Sequence, residues 1–562
     1  MARKGRDKSA YVVVSIILFL LFLYHRCIYD ASAPVFGVSP PRTAEFRASR
    51  IIKEDPGGDP PRVGSLVIPS PVPAVSVLVP DWQVFVIVSP EYSPLAVEED
   101  DPYTCLFENG ATSPAAFAGV FPSPDRSLLV CNLPEKLRRW KQIKQPVLTR
   151  SSFLVNLTSD ATNSQPPLLR WNYLVYDSLT TEDDVVLFVK GVNNRQGVNR
   201  DPFEFRCTFF TGDDPTVAVK TEVTSSVQEV FRCKRPKSPS AGEKQSVIVS
   251  LEILRPNPAI VPSVAFYSPP RHLAAPGGWK HALCASTMVF NVAKNLKEWV
   301  LYHSRIGVEK FVLYDNNSED ELQETVGNLV RQGFDVTTYF WPWPKTQESG
   351  FSHSAVFANT SCSWMLYTDV DEFLYSQSWN KDEISHLNNA NLLSVLPEKG
   401  NVAQLSMACF EFGPSGRKAH PSEGVTQGYN CRKRRDNRHK SAVLLDAVDH
   451  SLLNVIHHFT MKPGYRTEKV KVNDVVVNHY KYQAWPEFRA KFRRRVSAYV
   501  IDWTKRENPN SNDRAPGLGY RAVEPADWPM RFCEVYDNGL KSLAQRWFGG
   551  RSPAGFRMAW QS

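Results

Sequence analysis

Two acidic residues, Asp369 and Asp371, flank a single valine and follow the apolar run Trp364-Met365-Leu366-Tyr367-Thr368. A buried strand ending in such a pair lets both carboxylates leave the sheet at its rim and converge on one cation. A hard divalent ion takes oxygen ligands and keeps positions open for phosphate oxygens. Held there, it would bridge a diphosphate and stabilise charge building on a leaving group. A lone D-x-D is a weak motif, arising by chance about once in a chain of this length. Its ordinary reading is a pair of solvated loop acids. The strand before it and Phe373-Leu374 after it favour the metal.

Other residues could join it. Asp315-Asn316-Asn317-Ser318 ends a second apolar run, Phe311-Val312-Leu313-Tyr314, which would set Asp315 on the same rim as Asp369. There it can contact the base or ribose of a nucleotide, or act as a turn and helix cap, and the two roles are compatible. His457-His458 and Asn478-His479-Tyr480 supply imidazoles far downstream. A neutral imidazole can complete a metal shell, although a hydrogen-bonded core histidine reads equally well. Arg432-Lys433-Arg434-Arg435 and Arg438-His439-Lys440 offer charge for neutralising phosphate, against the usual role of a solvated face. Lys491-Phe492-Arg493-Arg494-Arg495 reads as one face of an exposed helix, and Trp341-Pro342-Trp343-Pro344 as aromatic platforms for sugar faces or as a packed loop.

These residues need a frame, and the sequence from Lys280 onward has one. His281 to Phe290 contains an apolar strand, and Leu296, Trp299, Val300 and His303 then share one helical face. Ser318-Glu319-Asp320-Glu321 has the form of a capping box, followed by the core face Leu322, Val326, Leu329 and Val330 and a stop at Gly333. Val336 to Phe340 is a third strand, residues 347 to 360 read as helical, and Trp364 to Thr368 is the fourth strand. Strand–helix alternation predicts a mostly parallel α/β sheet covered on both faces. Right-handed crossovers bring the strands' C-terminal ends to one edge, where ligands bind.

The chain has 562 residues, room for two or three domains. A net charge of +8 suits an anionic small molecule or polysaccharide and speaks against a nucleic-acid partner. Arg3, Lys4, Arg6 and Lys8 precede an apolar run from Ala10 to Tyr24. The expectation is a cytoplasmic tail over 1–9, a transmembrane signal-anchor helix over 10–29 and a lumenal remainder. Ala31-Ser32-Ala33 leaves a cleaved signal peptide open. Residues 30–75, rich in Pro, Gly and charge, read as a stem. Residues 76–265 alternate β-branched runs with turn clusters and predict an antiparallel β-sandwich domain, followed by a Pro-rich linker from about 255 to 277. Ten cysteines include no C-x-x-C pair, which argues against a zinc ribbon. Cys105 with Cys131 and Cys207 with Cys233 are the disulfides expected in an oxidising lumen. Asn156-Leu157-Thr158 and Asn359-Thr360-Ser361 match glycosylation acceptors.

Taken together, the stretches from roughly 278 to 548 resemble the plant branch of glycosyltransferase family 92. The matching pieces include Lys294-Asn295, Glu298-Trp299, Tyr314-Asp315-Asn316-Asn317-Ser318, Gln347-Glu348-Ser349-Gly350-Phe351-Ser352-His353 and Asp369-Val370-Asp371-Glu372-Phe373. Further on come Arg438-His439-Lys440-Ser441, Asn454-Val455-Ile456-His457-His458-Phe459, Asn478-His479-Tyr480-Lys481-Tyr482 and Asp513-Arg514-Ala515-Pro516-Gly517-Leu518-Gly519. One departure is Ser354, where the family commonly has Cys after the matching histidine, which puts a disulfide there in doubt.

The resemblance implies a GT-A (Rossmann-like) nucleotide-diphospho-sugar transferase domain over 278–548, with 549–562 as a C-terminal tail. It also implies inversion at the anomeric carbon, manganese, a UDP-sugar donor and a type II setting in the Golgi membrane. Similar members include plant pectic β-1,4-galactan synthases, which use UDP-galactose and carry a β-rich domain ahead of the catalytic one. By that likeness the acceptor is a cell-wall polysaccharide or glycan, and a homodimer is one open arrangement. Asp369 and Asp371 become the metal motif, and His479 the third ligand, with His457 or His458 as competitors. Asn295, Glu298 and Asp315 carry over as donor-side contacts, joined by Asp369, Arg438 and Lys440.

The implied reaction is a single displacement at C1 of the sugar, with a carboxylate or histidine taking the acceptor's proton. Asp446, Asp449 and Glu411 all sit in plausible loops, and spacing does not decide among them. Two rival readings are a non-catalytic glycan-binding protein and a metal-dependent phosphohydrolase, which would need more metal ligands than the sequence places.

Overall fold

The computed structural model describes residues 71–561, apart from 97, 99, 157–158, 194–198, 211–217, 238–245, 270–278, 381–390, 398–399, 456, 494–523 and 553–554. The expected tail, anchor and most of the stem lie outside the described residues, as do Leu157 and Thr158 of the first acceptor site and the Asp513–Gly519 stretch. Among the described residues no helix is long and apolar enough to cross a membrane.

The fold is mixed α/β. A nine-stranded sheet carries the acidic pair. Strands Asp335–Phe340, Lys310–Asp315, His281–Val289 and Cys362–Tyr367 lie side by side and parallel, in that order. Helices Ala293–Arg305, Leu322–Arg331 and Gln347–Phe357 make the crossovers between them. Such strands are buried on both faces, so near-continuous apolar runs were their sequence mark. Leu296, Trp299 and Val300 cover one face and are fully buried. Beyond Cys362–Tyr367 the pairing turns antiparallel through His439–Leu444 and Val402–Glu411, then continues to Val476–His479 and finally Glu372–Tyr375. The chain therefore leaves the sheet at Tyr367 and re-enters it as a different strand at Glu372, with residues 368–371 spanning the fork.

One local expectation differs. The Ser318–Glu321 capping box does not form: the helix starts at Leu322 behind Glu321, which makes no side-chain cap. Asp315 Oδ1 accepts from the Ser318 amide at 2.9 Å, and Ser318 Oγ accepts from the Asn291 amide at 3.2 Å. The short aspartate side chain at the strand end closes the turn first, leaving Ser318 to tie it to the neighbouring loop.

The β-rich region is not a free-standing sandwich. Its strands form sheets of five, three and eight strands. The largest curls until Val175 bridges Ser263, enclosing Val185, Leu187, Val189, Phe231 and Leu251. The reason lies in the strand Asp184–Lys190, which is buried along its whole length. Its second face, Val186 and Phe188, packs against the large sheet's side of the molecule, so neither face is left for solvent. The described part of the supposed linker belongs to this sheet: Ala259–Ile260 and Phe266–Tyr267 pair with Val247–Ile253, and Val261, Val264 and Ala265 are buried.

Trp341 and Trp343 are fully buried, which removes them as sugar platforms. Trp343 stacks on Trp171 with centroids 5.6 Å apart and donates from Nε1 to Asp177 Oδ2 at 2.9 Å. Burial pushes the Asp177 carboxyl up to about 6, against the Trp343 hydrogen bond that lowers it. These two tryptophans weld the β-rich strands to the large sheet. Both expected disulfides are present, and Cys284–Cys362 and Cys431–Cys533 add two more. Cys409 is a buried free thiol, and Ser354 Oγ donates to the Phe351 carbonyl at 2.9 Å. Trp343→Ala is expected to destabilise the protein by about 3–5 kcal/mol in denaturant unfolding. Trp279→Ala, at a site 76% exposed, should change stability by less than about 0.5 kcal/mol.

Candidate functional site

Asp369 to Glu372 form one tight turn. The Glu372 amide donates to the Asp369 carbonyl at 2.9 Å, and the Asp369 amide donates back to Glu372 Oε2 at 2.8 Å. A carboxylate oxygen from each of Asp369, Asp371 and Glu372 lies within 4.8 Å of the others. His479 faces Glu372 across the antiparallel pair. Its Nε2 is 3.4 Å from Asp371 Oδ2 and its Nδ1 is 3.3 Å from Glu372 Oε1. The next amide, Tyr480, donates to the Asp371 carbonyl at 2.9 Å, fixing the two segments together.

The other imidazoles fall differently. His457 Nε2 lies 3.7 Å from Asp369 Oδ2 and 2.6 Å from Lys440 Nζ. Burial and the Lys440 ammonium hold this imidazole well below its ordinary range, so as a neutral ring it accepts a hydrogen bond from the lysine. His458 turns instead to Ser441 Oγ, at 3.1 Å. Of the three candidates, His479 has the most contact with the acids.

Three close carboxylates need compensating charge. Lys440 Nζ sits 2.7 Å from Glu372 Oε1 and 3.1 Å from Asp369 Oδ2, and Lys491 pairs with Asp371. Burial alone would raise the Asp369 carboxyl; the Lys440 ammonium, the largest opposing influence, outweighs it and holds it down at about 2. Burial is likewise overcome at Asp371, where Lys491 and His479 keep the carboxyl well below the usual range. Glu372 is raised by burial, despite Lys440. Lys440 itself is raised, because Asp369 and Glu372 outweigh its burial. Gln347, in the first turn of its helix, donates from Nε2 to Asp369 Oδ1 at 3.2 Å.

Glu372, Lys491 and Gln347 were not singled out from the sequence as site residues. Glu372 had a signal, since a third acid directly follows the pair. Lys491 was read as part of an exposed basic face, and only the course of the helix Trp485–Arg493 brings it to Asp371.

The donor-side residues are scattered in role. Asp315 is buried at its strand end, accepting from Ser318 and, at 3.4 Å, from Gln323 Nε2. Asn295 is buried in the first turn of Ala293–Arg305, and its Oδ1 has no partner among the described residues. Glu298 is fully engaged elsewhere: it accepts from the Val425 amide at 2.8 Å, the Thr426 amide at 3.0 Å and the Thr426 hydroxyl at 2.5 Å. That is anchoring of a short helix start. Burial pushes the Glu298 carboxyl up to about 7, against the Thr426 hydrogen bonds. Arg438 is exposed at the entrance to the His439–Leu444 strand, with a left-handed φ of 69°. None of the three suggested bases is free for the task. Glu411 is clamped by Lys481 at 2.5 Å and Lys433 at 2.9 Å, Asp446 pairs with Lys280, and Asp449 caps a turn through Ser451.

Three carboxylates and one imidazole make a hard oxygen and nitrogen donor set, which suits manganese or magnesium. Asp369, Asp371, Glu372 and His479 would hold such an ion.

Residues 280–514 match the model of glycosyltransferase family 92. A family 92 protein of Oryza sativa subsp. japonica is 41% identical over 402 residues, covering 68% of this chain and 67% of the relative. One from Ricinus communis is 41% identical, covering 67% of each chain, and one from Arabidopsis thaliana is 42% identical, covering 66% of each. Among solved structures, a mannosyltransferase from Pyrobaculum calidifontis in complex with GDP-Man and Mn2+ is 12% identical, with a TM-score of 0.25 over 40% of this chain and 64% of its own. At that TM-score the likeness carries no weight.

Asp371→Asn keeps the side chain's size and removes its charge. Divalent-metal affinity, measured by titration calorimetry with Mn2+, is expected to fall by at least about 100-fold, with the unfolding temperature little changed. Unaltered Mn2+ binding would contradict the assignment of this carboxylate.

Proposed function

The chain belongs to glycosyltransferase family 92, and from that premise we propose that it is an inverting, manganese-dependent enzyme that moves a hexose, galactose from UDP-galactose, onto a cell-wall polysaccharide or glycan. The observation that carries the metal-dependent part is the convergence of Asp369, Asp371 and Glu372 within 4.8 Å, beside His479. When bound, the metal would offset the negative charge of the departing diphosphate. The chain's own residues do the rest. The turn at 369–372 fixes the acids, Lys440 pairs with both Asp369 and Glu372, and Gln347 orients Asp369. Asp315 and Asn295 Oδ1, which has no partner among the described residues, are proposed to meet the nucleotide.

In the displacement, the acceptor oxygen forms a bond to C1 as the bond from C1 to the diphosphate oxygen breaks, and the acceptor's proton passes to a base. A single displacement inverts C1. The galactose and cell-wall parts rest on likeness to galactan synthases alone. The proposed setting is the Golgi membrane, single-pass type II, with the site in the lumen. The basic residues ahead of the apolar run from Ala10 to Tyr24 support it, and four disulfides fit an oxidising compartment.

A screen of UDP-sugars with Mn2+ and a galactan acceptor is the direct test. UDP-galactose should be consumed in step with acceptor extension, and EDTA should reduce turnover by at least about 100-fold. Turnover indifferent to chelation would remove the metal from the reaction. Release of free sugar with acceptor present would mark a hydrolase instead.

A further inference from the structure

The hairpin Ala218–Val227 and Val230–Lys234 belongs to the β-rich region, yet its two-residue tip reaches the parts that hold the acidic site. Two branches leave that tip. Glu229 forms a buried ion pair with Lys190 at 2.5 Å, and its other oxygen accepts from Tyr176 at 3.1 Å and from Ser349 Oγ at 3.2 Å. Lys190 also donates to the Lys345 carbonyl at 3.4 Å. Lys345 and Ser349 bracket Gln347, which grips Asp369. On the other branch, Gln228 donates from Nε2 to the Asn454 carbonyl at 2.9 Å. Asn454 Nδ2 in turn donates to the Glu348 carbonyl at 3.0 Å and to Ser352 Oγ at 2.8 Å. The Asn454–Phe459 turn carries His457, which receives Lys440.

We propose that Gln228 and Glu229 are positioning residues for the acidic centre: one hairpin tip sets Gln347 against Asp369 and the His457 turn against Lys440. The β-rich region is thereby part of the site's support. Bonds within a buried network act over more than one residue because each member fixes the next. Partners behind the ligands also tune metal affinity without touching the ion. This inference rests on the metal reading given under the proposed function.

Gln228→Asn is the first test. Gln228 has a φ of 54°, which asparagine tolerates, and the shorter side chain cannot reach the Asn454 carbonyl. Ser349→Ala removes the Glu229 contact on the other branch. In the full chain, each variant is expected to keep the wild-type unfolding temperature to within about 3 °C. Each should bind Mn2+ about tenfold more weakly by calorimetry and lose kcat with little change in acceptor KM. Lys190→Met with Glu229→Gln removes both buried charges together, so the folded protein retains no unpaired ion, and it should show the same Mn2+ weakening. Wild-type Mn2+ affinity in all three would overturn the proposal and leave the metal centre standing. Failure of the wild-type protein itself to bind Mn2+ would overturn the metal centre and this proposal with it.

Discussion

Three carboxylates held within 4.8 Å of one another repel strongly in a poorly solvated turn, and the site exists only because that repulsion is balanced. Two ammonium groups and the register of a sheet do the balancing. Lys440 approaches from the neighbouring strand end and touches two of the acids, while Lys491 comes from a late helix to the third. The backbone adds rigidity: Glu372 opposes His479 in an antiparallel pair, so imidazole and carboxylates are set by strand pairing and not by flexible loops.

That precision depends on packing some distance away. The parallel strands alone do not place Gln347 or His457. Both are steadied by a second body of structure, joined to the large sheet through Trp341 and Trp343. The buried Lys190–Glu229 pair lies in the same contact zone. A buried ion pair is poor evidence of stability, since desolvation offsets the attraction. Its value here is directional, because each charged atom has a fixed set of partners.

The large sheet was legible because it is written in period and length. Apolar runs at 281–290, 311–314, 336–340 and 364–368, with amphipathic stretches between them, admit few arrangements other than a parallel sheet with crossovers. The position of Asp369 and Asp371 at a strand end followed directly. The two disulfides of the β-rich region were legible too, since each couple sits in a strand-rich stretch with turn-forming residues between its members. What escaped was mostly long-range. Lys491 is 120 residues from Asp371 in the chain, and no local pattern announces that meeting. Glu298 looked like a donor contact by likeness, but its carboxylate is taken up by Val425 and Thr426, which only the fold brings near. Trp341 and Trp343 show the limit of composition: exposed and buried tryptophans look the same in a sequence. The sandwich expectation missed a simpler clue, namely that a strand apolar on both faces needs cover on both sides.

The fork at 368–371 has one more implication. Because the chain is held in a strand on each side of that turn, the segment has no slack. Adding or deleting one residue would shift Glu372–Tyr375 by a step against Val476–His479 and turn every side chain of that strand to the opposite face. Point changes in this region alter chemistry, but changes of length alter the register itself. The spacing of this turn is accordingly where indels should be least tolerated during divergence, even where individual side chains drift.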